Sequence, residues 1–133
     1  MDNCIFCQIV NRKDEAYIVD ETDSTMVFMS LENHPIVITK EHISNIYSLD
    51  DKSASAVMIE AVKIAKAIKK ALKCDGVNII QSNETAAGQD VFHFHLHIKP
   101  RFQGDNIILS WDNKPVSDKS RAETVEKIKA AFN

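Results

Sequence analysis

Residues 91–98 have the sequence VFHFHLHI, in which apolar side chains alternate with histidines. Side chains of an extended strand point alternately to its two faces, so His93, His95 and His97 are expected together on one face. The other face carries the apolar residues Phe92, Phe94, Leu96 and Ile98. The segment therefore predicts a β-strand that buries one face in a core and presents three imidazoles on the other.

Other strands are predicted by short apolar and β-branched runs outside this segment. They lie at residues 17–19, 25–29, 36–39 and 77–81, and a polar stretch joins the first two in the pattern of a hairpin. Strands in adjacent pairs with short connections favour antiparallel pairing. We therefore expect an antiparallel sheet of about five strands.

Two helices complete the expected fold. Between residues 50 and 73, apolar residues recur at spacings of three and four and predict one long helix. Gly76, which can take a positive φ, is expected to stop it. A polar segment with apolar residues at helical spacing predicts a surface helix from a cap at Ser117 or Asp118 to Phe132. The expected class is α+β, with the long helix on one face of the sheet and a C-terminal helix.

The bulk composition limits the classes of function. A chain of 133 residues with 44% hydrophobic residues suffices for one core, so residues 1–133 are expected to form a single domain. The net charge of −3 provides no basic surface for a polynucleotide and leaves a nucleotide as a possible ligand. No apolar run reaches the roughly 18 residues of a membrane span, and the start lacks a signal-peptide pattern, so a cytoplasmic protein is expected.

The residues alone leave three interpretations of the histidine segment open. The histidines can be polar residues of an exposed face, ligands of zinc, copper or iron, or catalytic groups. Histidine, with an ordinary pKa of about 6.5, can act as a nucleophile once a neighbour fixes its tautomer. The polar connection at residues 83–89 offers N–H groups and amide side chains that can bind phosphate oxygens. Strict alternation favours metal binding or catalysis, but spacing does not decide between them.

The cysteines raise the metal question separately. Cys4 and Cys7 form a C-x₂-C pair, and a reducing cytosol disfavours a disulfide between them. Two ligands do not complete a tetrahedral site, so the pair alone leaves zinc binding and two inert thiols equally open. Cys74 has no partner in the sequence and is interpreted as a small, partly buried apolar residue.

Residues 93–99 resemble the signature of the histidine triad (HIT) family, in which histidines and apolar residues alternate and two apolar residues follow the last histidine. Lys99 occupies the final apolar position. Further similar segments occur in the family order at residues 4–10, 37–43, 75–78, 83, 87–89, 91–92 and 100–101. The resemblance therefore extends over residues 4–103.

The resemblance implies a nucleotide hydrolase that works by covalent catalysis. His95 would attack the α-phosphorus of a purine nucleoside 5′-phosphoramidate or related nucleotidyl conjugate, and water would then cleave the nucleotidyl-histidine. A backbone carbonyl is expected to keep a proton on the other nitrogen of His95. Contacts with the phosphate or the leaving group are implied for His34, Asn83, Gly88, Gln89 and His97.

Zinc and dimerisation are also implied by the resemblance. Cys4, Cys7, His42 and His93 correspond to a closed Cys₂His₂ set, which would hold a structural zinc ion. Members of the family form homodimers in which the long helix and the strand before the triad lie at the interface. A homodimer is therefore expected, with a purine nucleotide as the small-molecule partner and no polynucleotide or membrane.

The sequence departs from the family pattern on the nucleoside side of the site. Ser30 and Leu31 occupy the positions of an Asp-Ile pair whose carboxylate binds the ribose hydroxyls in many members. The connection to His34 is several residues shorter than usual, and Asn33 replaces a glycine. Glu32 is a weaker candidate for the ribose contact. Base and sugar preference therefore stay open.

Three alternative functions remain beside the phosphoramidate hydrolase. A dinucleoside polyphosphate hydrolase would use the same nucleophile. A zinc-stabilised nucleotide-binding module could have lost turnover with the altered ribose loop. A three-histidine metalloenzyme is the least favoured, because neighbouring same-face histidines on a strand are about 7 Å apart.

Overall fold

Five antiparallel strands form one sheet in the computed structural model, which describes residues 3–132. The strands are β1 (Ile18–Glu21), β2 (Thr25–Met29), β3 (Pro35–Thr39), β4 (Gly76–Ile80) and β5 (His95–Arg101). Their order across the sheet is β1-β2-β3-β5-β4. The α+β class and the antiparallel sheet are confirmed; β2 has the predicted bounds, and those of β1, β3 and β4 shift by one or two residues.

Three α-helices accompany the sheet in the described residues: α1 (Ile5–Val10), α2 (Asp51–Leu72) and α3 (Asp118–Ala130). Short 3₁₀ turns lie at Ile46–Ser48 and Thr85–Ala87. Helix α1 was not predicted from the sequence, because six residues are too few to show a periodic pattern. No described helix combines the length and the apolar character needed to cross a membrane.

The ends of α2 have separate local causes. The Asp50 side chain accepts a hydrogen bond of 2.7 Å from the backbone N–H of Ser53, as an N-cap residue does. At the other end, Lys73 takes the left-handed conformation with φ of +53°. The prediction that Gly76 stops the helix is wrong, since the chain turns three residues earlier and Gly76 begins β4.

Apolar side chains cover both faces of the sheet because neighbouring residues of each strand point to opposite faces. The face under α2 has a core that contains Val27, Val37, Leu96, Ile98, Val57, Ala61, Ile64 and Ile68. The face under α1 has a second core, which contains Phe6, Ile9, Met26, Phe28, Ile36 and Ile38. His95 pairs with Ile38 and His97 with Ile36. The two histidines therefore lie on the α1 face of the sheet.

The histidine strand begins later than the sequence predicts. The expected strand covered residues 91–98, but β5 begins at His95, and residues 91–93 form a bend. The backbone N–H of Phe94 donates to the Ile43 carbonyl at 2.6 Å, which holds the chain away from a continuous ladder. Phe92 is 49% exposed, so its predicted core position is wrong. Phe94, Leu96 and Ile98 are buried as predicted.

The C-terminal surface helix is confirmed in α3. Ser117 caps it by accepting a hydrogen bond from the Ser120 N–H at 3.2 Å. No residue of α3 is buried. Its apolar residues Val125 and Ile128 are both about half exposed. The helix therefore contributes little to the two cores.

Replacing Ile98 by alanine should test the packing under α2. The side chain is fully buried in the centre of β5, so Ile98→Ala is expected to lower the free energy of unfolding by about 2–5 kcal/mol. Ile108→Ala is the matched control, since Ile108 is 85% exposed, and should change it by less than about 0.5 kcal/mol. Urea unfolding followed by circular dichroism measures both. Equal effects of the two substitutions would contradict the assignment of the core.

Candidate functional site

Four metal-ligand side chains converge where α1, β3 and β5 meet. Cys4 precedes α1, Cys7 lies within it, His42 follows β3 and His93 precedes β5. One ligand atom from each lies within 4.8 Å of the others. The Nδ1 atom of His93 is 3.5 Å from Cys4 Sγ and 3.6 Å from Cys7 Sγ. The cluster can hold a metal ion, and it contains the four residues implied by the resemblance.

The surroundings of the cluster suit a bound cation. His93 donates from Nε2 to the Thr39 carbonyl at 2.7 Å, so Nδ1 carries no proton when the ring is neutral and faces the two sulfurs. Most metal-bound histidines are oriented by such a hydrogen bond from the ring nitrogen that does not bind the metal. Burial and the neighbouring Cys4 raise the pKa of the Cys7 thiol, and a cation would favour its thiolate. The Cys₂His₂ donor set fits a tetrahedral site.

His95 has a fixed tautomer because of the bend before β5. Its Nδ1 lies 2.7 Å from the backbone carbonyl of His93, which can only accept a hydrogen bond. In the neutral ring the proton is therefore on Nδ1, and Nε2 has the lone pair. This Nε2 is 3.7 Å from the Oδ1 atom of Asp90. The edge-on ring of Phe6, 5.2 Å away between centroids, restricts the His95 ring on the α1 side.

His34 and His97 form a second histidine pair beside His95. His34 Nε2 lies 2.8 Å from His97 Nδ1, and the ring centroids of His95 and His97 are 5.1 Å apart. The pKa of His34 is lowered by burial and then by the charge of Lys99. The pKa of His97 is lowered by burial and then by the neighbouring His95 and His34. Both rings are therefore neutral at pH 7.

The buried nitrogen of His34 indicates which ring donates in this pair. His34 Nδ1 is buried and has no hydrogen-bond partner among the described residues. A proton on that atom would be a buried N–H without an acceptor, which is costly. We therefore assign the proton to His34 Nε2, which donates to His97 Nδ1. His97 then carries its own proton on Nε2, where it can donate to a ligand.

A cavity of about 940 Å³ opens on the face of the sheet that carries these histidines. His95, His97 and Asp90 line it, together with residues from α1, β2 and the β2–β3 turn. Its apolar lining includes Ile5, Phe6, Ile9, Phe28, Met29, Leu31, Ile36 and Val91. Arg12, Asp14, Glu15 and Glu32 are its other charged lining residues. A large apolar cavity with a few convergent polar groups is typical of a small-molecule site.

The β2–β3 turn contains the residues at which the sequence departs from the family pattern, and it places them at this cavity. Ser30 and Leu31 line it, as does Glu32. The Ser30 Oγ accepts a hydrogen bond of 3.2 Å from the His34 N–H. Asn33 has φ of +66°, a left-handed conformation that asparagine tolerates better than most residues. The chain therefore makes this short, tight turn without a glycine.

Asn83, Gly88 and Gln89 are not among the residues that line the cavity. Asn83 Oδ1 accepts from the Ile46 N–H at 2.8 Å. Gln89 is buried, donates to the Ser44 carbonyl at 2.7 Å and accepts from the Glu84 N–H at 2.7 Å. Gly88 takes φ of +91°, which favours glycine. Their observed contacts stabilise the loop before the bend, and their predicted phosphate contacts stay a prediction.

Two contributors to the site were missed in the sequence analysis. Helix α1 supplies Phe6 and Ile9 to the cavity wall. These two apolar residues lie three positions apart beside Cys7, and this spacing was the available indication of a helix. Asp90 lies beside the His95 nitrogen although it is five residues away in the chain. The bend at residues 91–93 brings it there, and alternation along a strand does not predict such a bend.

The chain is similar to a known family model and to several known proteins. A family model described as "HIT domain" matches residues 7–104. "Protein hit" of Bacillus subtilis is 33% identical over 136 residues, which cover 98% of this chain and 92% of that protein. "Adenosine 5'-monophosphoramidase HNT1" of Saccharomyces cerevisiae is 31% identical over 113 residues, which cover 81% of this chain and 69% of that protein.

Solved structures show the same fold. A crystal structure of a Streptococcus mutans protein has a TM-score of 0.95 at 33% identity, covering 100% of this chain and 87% of that one. A crystal structure described as a Zn-bound histidine triad family protein from Mycobacterium smegmatis has a TM-score of 0.75 at 27% identity. That alignment covers 98% of this chain and 99% of the other.

The ring protons of the histidines give a direct test of this geometry. Neutral His95 is expected to carry its proton on Nδ1 because the His93 carbonyl accepts it, whereas neutral His97 is expected to carry its proton on Nε2. Long-range proton–nitrogen correlation NMR of labelled protein distinguishes the two tautomers. An Nε2–H tautomer of His95 would contradict the proposed free lone pair, whatever the state of His97.

Proposed function

The chain belongs to the HIT family, and on that premise we propose that it hydrolyses purine nucleoside 5′-phosphoramidates or related nucleotidyl conjugates through a covalent nucleotidyl-histidine on His95. The observation that carries the proposal is the hydrogen bond from His95 Nδ1 to the His93 carbonyl. It leaves an unprotonated Nε2 on a ring that lines a cavity of nucleotide size. An imidazole in this state is a nucleophile without the need for a separate base.

The reaction follows in two displacements. His95 Nε2 attacks the α-phosphorus, the bond to the leaving group breaks, and Nδ1 keeps its proton against the His93 carbonyl. Water then attacks the same phosphorus, the P–Nε2 bond breaks with its electron pair returning to His95, and nucleoside monophosphate, neutral His95 and a proton are released. The Nε2–H of His97, held by His34, donates to a phosphate oxygen and stabilises the negative charge during both steps.

The nucleoside would lie in the apolar part of the cavity. Phe6, Ile9 and Phe28 offer flat or branched apolar surfaces to a base, and Ser30 and Leu31 offer contacts near the ribose. Asn83, Gly88 and Gln89 complete the proposed set around the phosphate and leaving group. The activity named for the yeast relative supports a purine nucleotide with a P–N bond.

We assign Cys4, Cys7, His42 and His93 to a structural zinc ion. Four ligands leave no open position for a substrate, so zinc would stabilise the fold. It would hold α1 against the end of β3 and the bend before β5, which positions Phe6 beside His95. The zinc-bound mycobacterial structure supports this choice of metal. A cytoplasmic location is part of the proposal, because a reducing compartment keeps the two thiols available.

A homodimer through α2 and β4 is also part of the proposal. Strand β4 is at one edge of the sheet, and an edge strand has unpaired backbone groups. Met58, Ile59 and Val62 of α2 are 52%, 70% and 44% exposed. An exposed apolar surface of this kind is typical of an interaction site. A second copy of the chain would cover it and extend the sheet.

Replacement of His95 tests the nucleophile. His95→Ala and His95→Asn should lower the release of AMP from adenosine 5′-phosphoramidate by at least about 10³-fold, because both variants lack the attacking lone pair of Nε2. AMP release is followed by chromatography, and AMP binding by calorimetry is the control for an intact site. Both variants should keep AMP affinity within about threefold, since the bound product needs no nucleophile.

The outcomes separate the alternative functions. Loss of turnover with retained binding supports covalent catalysis by His95. Cleavage of diadenosine tetraphosphate but not of the phosphoramidate would make the protein a dinucleoside polyphosphate hydrolase. Nucleotide binding without turnover of either compound would make it a binding module whose ribose loop has changed. Loss of activity with a chelator and its return with added metal in folded protein would favour the metalloenzyme.

Metal content tests the Cys₂His₂ assignment. The purified protein should contain about one zinc per chain, and Cys7→Ala should remove most of it because three ligands bind more weakly than four. Cys74→Ala is the matched control, since Cys74 is a buried thiol in the α2-side core and outside the cluster. Plasma emission spectrometry measures the zinc. Equal zinc in both variants would show that the cluster does not hold it.

A further inference from the structure

Asp90 is an acidic side chain at the reacting nitrogen that the reaction described above does not use. Its Oδ1 lies 3.7 Å from His95 Nε2 and accepts a hydrogen bond of 2.9 Å from the Val91 N–H. The side chain is 84% exposed and lines the cavity. One carboxylate oxygen is thus held in place, and the group faces the space that a phosphoryl group on Nε2 would enter.

A carboxylate is an unexpected neighbour for a nucleophile that attacks phosphate, because the substrate is an anion. Asp14, Glu15 and Glu32 also line the cavity, together with Arg12, but among the described residues Asp90 is the acidic side chain paired with the His95 ring. A leaving group with further negative charge is therefore disfavoured next to Asp90, and a leaving group that carries protons on nitrogen is favoured.

We propose that Asp90 contacts the leaving nitrogen, selects P–N over polyphosphate substrates, and accepts the proton of the attacking water in the second step. This inference rests on the proposed function, because it assumes nucleotidyl transfer to His95. The leaving group is then an amine that is protonated while it is still bound to phosphorus.

In the first step, the nitrogen of the phosphoramidate has taken a proton from solvent and is cationic. The Asp90 carboxylate accepts a hydrogen bond from it and stabilises this charge. The His95 Nε2–P bond forms, the P–N bond breaks, and its electron pair stays on nitrogen, which leaves as a neutral amine. His95 becomes a phosphorylated imidazolium, so the positive charge moves from the leaving nitrogen to the ring.

In the second step, water occupies the place of the departed amine beside Asp90. Its oxygen attacks phosphorus, its proton moves to the Asp90 carboxylate, and the P–Nε2 bond breaks with the electron pair returning to His95. The products are nucleoside monophosphate, neutral His95 and protonated Asp90, which loses its proton to solvent. General base catalysis of this kind contributes about 10²–10⁴-fold where the base is well placed.

A polyphosphate substrate reverses the charge relation. When the P–O bond breaks, the leaving phosphate gains negative charge and offers no proton to the Asp90 carboxylate. The two anions repel each other, and the repulsion is strongest in the transition state. Asp90 therefore slows the first step for a phosphate leaving group while it assists the first step for an amine.

The test compares Asp90→Asn with the unmodified protein on two substrates. We expect Asp90→Asn to lower kcat/KM for adenosine 5′-phosphoramidate by about 10-fold or more. The value for diadenosine tetraphosphate should stay unchanged or rise, so the preference for the phosphoramidate falls by at least about 10-fold. Because the base for the second step is lost, adenylyl-protein should accumulate, and mass spectrometry detects it.

Two further variants control the result. Asp90→Glu keeps the carboxylate and should restore part of the preference. Asp14→Asn removes another cavity carboxylate, one that accepts a hydrogen bond from the Glu15 N–H, and should leave the ratio between the two substrates unchanged. Circular dichroism and thermal unfolding confirm that each variant is folded.

The results can separate failure of the Asp90 role from failure of the proposed hydrolase. A parallel loss on both substrates, or no change on either, would overturn the role of Asp90 while His95-dependent turnover still upheld the hydrolase. An equal change of preference in Asp14→Asn would also overturn it, because a general field effect would then suffice. Absence of turnover by the unmodified protein would overturn both.

Discussion

The hydrogen bond between His95 Nδ1 and the His93 carbonyl is the constraint on which the chemistry of the site depends. It fixes one tautomer of His95 and directs the free lone pair toward the cavity. The bond exists because the chain bends at residues 91–93 and enters the sheet only at His95. A strand that continued through His93 would bond its carbonyl to a neighbouring strand.

His93 connects the Cys/His cluster with His95. The side chain of His93 faces the two cysteines, whereas its carbonyl accepts from His95. Cys7 also belongs to α1, the helix that places Phe6 against the His95 ring. A metal ion bound at the cluster would therefore constrain both the bend and the helix that encloses the cavity.

The cavity separates two chemical environments. Apolar side chains from α1 and β2 form one part, and the His34–His97 pair with His95 and Asp90 forms the part where phosphate chemistry can occur. Burial keeps His34 and His97 neutral by lowering the pKa of each, so they serve as hydrogen-bonding groups. The β2–β3 turn contributes Ser30, Leu31 and Glu32 to the wall of the same cavity.

The sequence by itself determined the antiparallel sheet, the long helix and the C-terminal helix, because hydrophobic periodicity is a local property, and its resemblance to the HIT family supplied the four members of the cluster. It also placed His95 and His97 together, since alternation along a strand puts them on one face. Tertiary structure alone decided the start of β5, the exposure of Phe92, the tautomers of the three site histidines and the approach of Asp90 to His95. These features depend on hydrogen bonds and packing between distant segments, such as Phe94 with Ile43 and Phe6 with His95. A residue pattern within one segment carries no information about which distant carbonyl or ring will lie beside it.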